Sequence, residues 1–129
     1  MAKPTREDAD MMLRLAQLGA LMNLEEAVNY VWSDAFPSDW AQFKAKFPED
    51  SREASLVFRL LRWYETVGTL YRNGLVNEDL LFDWLAITGL WDRVRGFALG
   101  TRQESGEARL WENFEHMAEA GRRWQPQRP

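Results

Sequence analysis

Apolar positions recur along this chain at spacings of three and four, the period of one helix face, and no segment alternates as a half-buried strand would. Thr5, with Asp8 three residues on, forms a capping box for a first helix near residues 6–22, in which Met11, Met12, Leu15, Leu18, Leu21 and Met22 keep that spacing. Asn23 with Glu26 repeats the capping logic for a short second helix, whose Leu24, Ala27, Val28, Val31 and Trp32 form one face before Phe36-Pro37 ends it. A third short helix starts after Ser38 or Asp39, runs through Trp40, Phe43 and Phe47, and stops at Pro48, because proline disfavours a helical residue before it.

Asp50 with Glu53 reads as the capping box of the longest helix, residues 51–73, which holds no proline and one glycine. Leu56, Val57, Leu60, Leu61, Trp63, Tyr64, Val67, Leu70 and Tyr71 cover about half its circumference, and Arg59, Arg62, Glu65 and Arg72 occupy the rest. Gly74 supplies the left-handed residue that closes it, with Leu75 or Val76 folding back as an apolar contact. Asn77 caps the next helix, expected over 77–99, with Glu78 and Asp79 where the helix dipole favours acids. Its apolar residues point in nearly every direction, which predicts the most buried element, with Gly89 as the point of bending or splitting. Gly100 to Gly106 reads as the clearest loop. A final helix from Glu107 sets Leu110, Trp111, Phe114, Met117, Ala118 and Gly121 on one side and Glu112, Glu115, His116 and Glu119 on the other. The tail, 124–129, is expected to be frayed or docked by Trp124 alone.

These elements predict an all-α fold: one domain over residues 1–129, built as a single irregular helical bundle of five or six helices, with 51–73 and 77–99 as its central antiparallel pair. Composition agrees, since 129 residues with 46% apolar content, seven Trp and seven Phe can bury a core. A formal net charge of −4 argues against nonspecific nucleic-acid binding, which rests on neutralising phosphates with Lys and Arg. The absence of cysteine removes disulfides, thiolate nucleophiles and zinc-thiolate sites. Apolar stretches are interrupted well before the roughly 20 residues a membrane span needs, and Met1–Asp8 lacks a signal peptide's apolar region. A cytoplasmic location is the expectation.

The run Leu61-Arg62-Trp63-Tyr64-Glu65-Thr66-Val67-Gly68-Thr69-Leu70-Tyr71-Arg72-Asn73-Gly74-Leu75-Val76-Asn77-Glu78-Asp79-Leu80, followed by Trp91 and then Trp111-Glu112-Asn113-Phe114-Glu115, resembles the family called domain of unknown function 4760. The likeness covers roughly residues 40 to 120. It implies a small helical domain, found mainly in prokaryotes, with no assigned activity and no catalytic residues to carry over. Some members carry a membrane-spanning helix ahead of the domain, and this chain departs by lacking one.

Four residue sets invite a chemical reading. Glu112, Glu115, His116 and Glu119 could be weighed as a metal site, but iron-carrying bundles place His three residues after Glu, and position 113 relative to His116 is Asn. A solvated charged face is the preferred reading. Glu65, beside the apolar half of the longest helix and among arginines, reads as an ion-pair partner or a cap on another helix ahead of a general acid or base. Trp63, Tyr64, Trp84, Trp91 and Trp111 read as core ahead of a pocket or subunit interface that would also include Glu65. Arg59, Arg62 and Arg72, with nearby Arg52, read as an ordinary solvated face ahead of an anion patch.

With no constellation at catalytic spacing, a non-enzymatic helical interaction module acting by self-association is the favoured function. The alternative is a small-molecule sensor whose ligand lies between aromatic-rich helices, and an enzyme ranks third. No cofactor and no nucleic-acid partner are expected; a homo-oligomer, or else another protein partner, is.

Overall fold

A computed structural model describes residues 3–126, and part of the expected frayed tail, 127–129, lies outside them. The described residues form seven helices and no strand: α1 (Arg6–Leu21), α2 (Leu24–Val31), α3 (Trp40–Lys46), α4 (Arg52–Arg72), α5 (Glu78–Trp84), α6 (Ile87–Ser105) and α7 (Glu112–Arg123). The all-α expectation stands, while the count rises because the predicted 77–99 helix is broken.

Several boundaries follow local chemistry visible in the sequence. Thr5 and Asp8 close a reciprocal capping box at α1, and the Asn77 side chain accepts from the Leu80 N–H at α5. At the end of α4, Gly74 takes φ +72°, its N–H donates to the Tyr71 carbonyl and the Leu75 N–H donates to the Leu70 carbonyl, the paired bonds of a Schellman stop. The apolar contact expected there comes from half-buried Val76, since Leu75 is exposed.

Other boundaries differ from expectation. Ser51, not Asp50, caps α4 by accepting from the Ala54 N–H. Asn23 sits in the left-handed region at φ +52° and makes no side-chain cap for α2. The helix expected over 77–99 breaks at Leu85–Ala86 rather than at Gly89, and α6 continues through Gly100 to Ser105. Gly100 is small because α3 lies on it: a Cβ there would stand 2.2 Å from the Trp40 Cβ. Gly106, at φ +73°, is the actual stop. The last helix begins at Glu112 instead of Glu107, behind Trp111 at φ +63°.

Packing also reassigns the centre. The main neighbour of α4 is α7, then α2; α6 lies against α7 and α3, and α1 rests on α2 and α5. So α7 takes the place beside α4 that residues 77–99 were expected to fill. The core is one cluster that includes Trp63, Tyr64, Trp91, Phe97 and Phe114, with Phe114 stacked on Tyr64 at 5.0 Å and meeting Trp91 edge-on at the same distance. At Gly68 a Cβ would lie 2.5 Å from the Asn113 carbonyl oxygen, so the chain entering α7 crosses α4 in direct backbone contact.

Many ties between distant segments run from a side chain to a main-chain atom. The Trp63 indole N–H donates to the Leu15 carbonyl (3.1 Å), and the Thr88 hydroxyl donates to Ala118 (2.8 Å). Arg102 Nε donates to Leu110 (2.7 Å). Arg93 donates from Nε to Val31 (2.6 Å) and from Nη2 to Ser33 (2.9 Å), its guanidinium over the Phe36 ring, and so closes the C-terminal end of α2 from α6.

Candidate functional site

Glu65 is a half-buried acid in the second half of α4, three residues before Gly68. Trp111 leaves α7 with no side-chain cap of its own. Glu65 supplies one from the neighbouring helix: Oε1 accepts from the Phe114 N–H at 2.9 Å and Oε2 from the Asn113 N–H at 3.3 Å. Asn113 Nδ2 donates to the Thr69 hydroxyl (3.0 Å), which donates to the Glu65 carbonyl (2.9 Å), and Arg72 Nη1 donates to Asn113 Oδ1 (3.2 Å). Burial pushes the Glu65 carboxyl above its ordinary range against the opposing pull of these N–H groups, and the Glu112 charge adds to the rise. The cap expected of Glu65 is present, and among the described residues no arginine forms an ion pair with it; Arg59 pairs with Glu26 and Arg72 bonds Asn113 instead.

Trp111 is held in its left-handed backbone by an indole hydrogen bond to the buried Thr101 hydroxyl (3.0 Å). With Glu65, Glu107, Arg109, Leu110, Glu112 and Asn113 it lines an open surface hollow beside the α7 cap. Thr69 and Thr101 are not singled out as site residues by the sequence, whereas Glu65, Trp111 and the Asn113-Phe114 step of the resemblance each mark this place without showing that they meet.

The aromatic set does not form one pocket. Trp63, Tyr64, Trp91 and Trp111 are buried core residues, and Trp84 is half-buried. Trp63 and Trp84 meet edge-on at 6.0 Å and floor an open groove of about 490 Å³ whose walls are Ala16 and Ala20 from α1, Leu24 and Val28 from α2, and Leu85 at the α5–α6 break. Tyr64 and Trp91 converge instead on Phe114, and Trp111 on Phe58. Burial pushes the Tyr64 hydroxyl up to about 12.

The arginine set is divided as well. Arg59 pairs with Glu26 at 3.1 Å and donates to the Asn23 carbonyl at 3.3 Å, and Arg52 pairs with the same Glu26. Arg72 belongs to the Asn113 network, while Arg62 is exposed. A carboxylate thus already occupies the place an anion would take between Arg52 and Arg59. On α7, Glu112 pairs with Arg109 (2.9 Å), Glu115 with Arg102 (2.9 Å) and Glu119 with Arg122 (3.3 Å), so the charged face weighed as a metal site is a set of ion pairs. No group of three or more His, Cys, Asp or Glu among the described residues could hold a metal ion.

A different surface emerges on α1. Its inward side buries Leu15 and Gly19, while Leu13, Leu18 and Leu21 are 58%, 38% and 86% exposed. Ala16 and Ala20, also exposed, form the rim of the tryptophan-floored groove. No helix of the described residues is long and apolar enough to cross a membrane.

The model of one protein family, described as a domain of unknown function (DUF4760), matches residues 5–124. No curated protein and no solved structure matches the chain. The match extends the resemblance seen over residues 40 to 120 to α1 and α2, so the helix that carries the exposed leucines is part of the family's domain. The chain belongs to the DUF4760 family.

Proposed function

We propose that this protein is a non-enzymatic helical interaction module that self-associates through α1. The observation that carries this reading is the outward face of α1, where Leu13 and Leu21 stand in solvent, with Leu18 partly exposed on its flank, on a helix whose opposite side is seated on the core. Burying Leu13 and Leu21 against a second copy would recover roughly 1.5–3 kcal/mol for each side chain fully covered. Glu65, the acid weighed for a chemical role, has both oxygens engaged on the α7 backbone, which supports a structural role. Sedimentation velocity of the full chain tests the proposal: the wild type should show a concentration-dependent dimer, and Leu21→Arg should weaken it at unchanged stability. A monomer at every concentration defeats it.

A second reading, a small-molecule sensor, draws on the groove between α1, α2 and α5, whose floor is Trp63 and Trp84. Native mass spectrometry of freshly purified protein separates the two readings, since subunit number and retained ligand mass appear in one spectrum.

A further inference from the structure

The joint between α1 and α2 is weak in a specific way. Asn23 is held at φ +52°, in the left-handed region that asparagine enters more easily than other side-chain-bearing residues but still less easily than helical angles, and its own side chain makes no cap bond to α2. Nothing else in the sequence calls for a break there: no proline lies between Pro4 and Pro37, and Met22, Leu24, Glu25 and Glu26 are ordinary helix formers. If Asn23 took right-handed helical angles, α1 and α2 would join into one helix, and the first N–H groups of α2 would find partners in the last carbonyls of α1.

The seat of α1 is shallow. Leu15 and Gly19 are the positions it buries, and the Trp63 indole N–H to the Leu15 carbonyl ties it to α4. An open groove borders it on one side, lined by Ala16, Gly19, Ala20, Trp63 and Trp84, while on the other Met12 and Leu15 close on Val76, Leu81 and Trp84 with only a small crevice left. By contrast α2 is fixed at its far end by Arg93 and along its length by Glu26 to Arg52 and Arg59. A straightened joint therefore moves α1 and leaves α2 in place.

We infer that α1 is an exchangeable arm: Asn23 straightens, and the α1 of each chain docks in the vacated seat of a second copy, giving a swapped dimer. The occupant is another α1 because the seat is already complementary to that helix, with Gly19 against Leu24 at 3.3 Å and against the Trp63 ring at 3.4 Å for an added Cβ. A short hinge in an unfavourable conformation is the condition that invites such exchange. Every intrachain contact of α1 is remade between chains, so what changes in the balance is the relief at two Asn23 joints and the new surface beside them. Leu18 and Leu21, exposed next to the hinge, lie at that new surface and can be covered by their counterparts. This inference rests on the self-association proposed above and specifies its mode.

The test uses the full chain in three forms. Asn23→Gly makes the left-handed joint easy, and Asn23→Ala makes it harder; Asn23 is exposed, so both should fold. Sedimentation equilibrium should show the dimer strengthened on the order of tenfold or more in Asn23→Ala and weakened in Asn23→Gly, since each dimer straightens two joints. In a dimer mixed from differently isotope-labelled copies, nuclear Overhauser contacts between Leu15 and the Trp63 ring should run between chains. Equal dimer strength in the two variants, or Leu15–Trp63 contacts confined to one chain of a dimer, overturns the exchange while leaving self-association intact. A chain that stays monomeric at every concentration overturns both.

Discussion

α7 presents Phe114, Met117, Ala118 and Ala120 to the core, whereas α1, though four residues longer, buries Leu15 and Gly19 and leaves three leucines exposed. Both helices are amphipathic and both are tied to α4, but α7 packs along it whereas α1 rests on α2 and α5 and reaches it through Trp63, so their seats differ in kind. The start of α7 is pinned by backbone contact at Gly68 and by the Glu65 carboxylate on two of its N–H groups. The seat of α1 is made of side chains, Leu24 and Trp63 against Gly19, with the Trp63 indole bonded to one carbonyl. An apolar stripe alone thus locates a helix loosely; polar ties to its backbone and close approach fix its register.

Two matched glycine substitutions give the sharpest break in that comparison. Gly68→Ala should cost about 3 kcal/mol, because the new Cβ meets the Asn113 carbonyl and α7 must shift. Gly19→Ala should stay within about 1 kcal/mol of wild type, because Leu24 and Trp63 are side chains that can yield and alanine favours helix. Urea unfolding measures both, and equal losses would erase the distinction between the two seats.

Removing the cap comes next. Glu65→Ala should cost about 1–2 kcal/mol, the usual value of a lost N-cap, and Glu65→Gln less, since its amide oxygen still accepts one of the two α7 N–H bonds. A melting temperature unchanged in both variants would remove Glu65 from the account of α7. On the α1 side, Trp63→Phe drops the bond to Leu15 together with one ring of the buried indole, which should cost about 2 kcal/mol and speed amide exchange in α1 more than in α7.

A smaller effect concerns pH. Burial makes the folded chain hold the Glu65 proton more tightly than the unfolded chain does. Stability should therefore rise as pH falls from neutral through the raised value and gain nothing further below the ordinary carboxylate range. Asp92, lowered by its hydrogen bond to Arg122, works in the opposite direction at lower pH. The difference between wild type and Glu65→Gln across pH isolates the Glu65 contribution, and a flat difference would contradict it. Smallest of all, Leu21→Arg should alter stability by less than about 0.5 kcal/mol while weakening association.

What could be read from sequence was what neighbours in the chain decide. Thr5 with Asp8, Asn77 with the Leu80 N–H, and Gly74 at the close of α4 are contests among residues a few positions apart, and each resolved as expected. Tertiary contact overrode the local signals elsewhere. Gly100 reads as a turn, yet it is the notch into which Trp40 packs inside a helix. Leu85-Ala86 carries no break signal, yet two helices separate there, and nothing local explains it. No propensity argument puts a tryptophan in the left-handed region; Trp111 is there with its indole on Thr101 and the following helix start held by Glu65. For the candidate site, the structural role of Glu65 was readable and its partner was not, because a cap supplied from another helix leaves no spacing in the sequence.

The long-range ties that end on main-chain atoms carry one more consequence. Arg93 grips the carbonyls of Val31 and Ser33, Arg102 that of Leu110, Thr88 that of Ala118, and Glu65 the N–H groups of 113 and 114. Each reads where the chain runs and is indifferent to which side chain stands there. These bonds therefore constrain chain length apart from whatever packing asks of the side chains, and a single inserted or deleted residue between Val31 and Phe36, or between Leu110 and Phe114, would slip them out of step. Family members should keep the length of these two segments even where exposed positions within them, such as Asp34 and Ala35, differ.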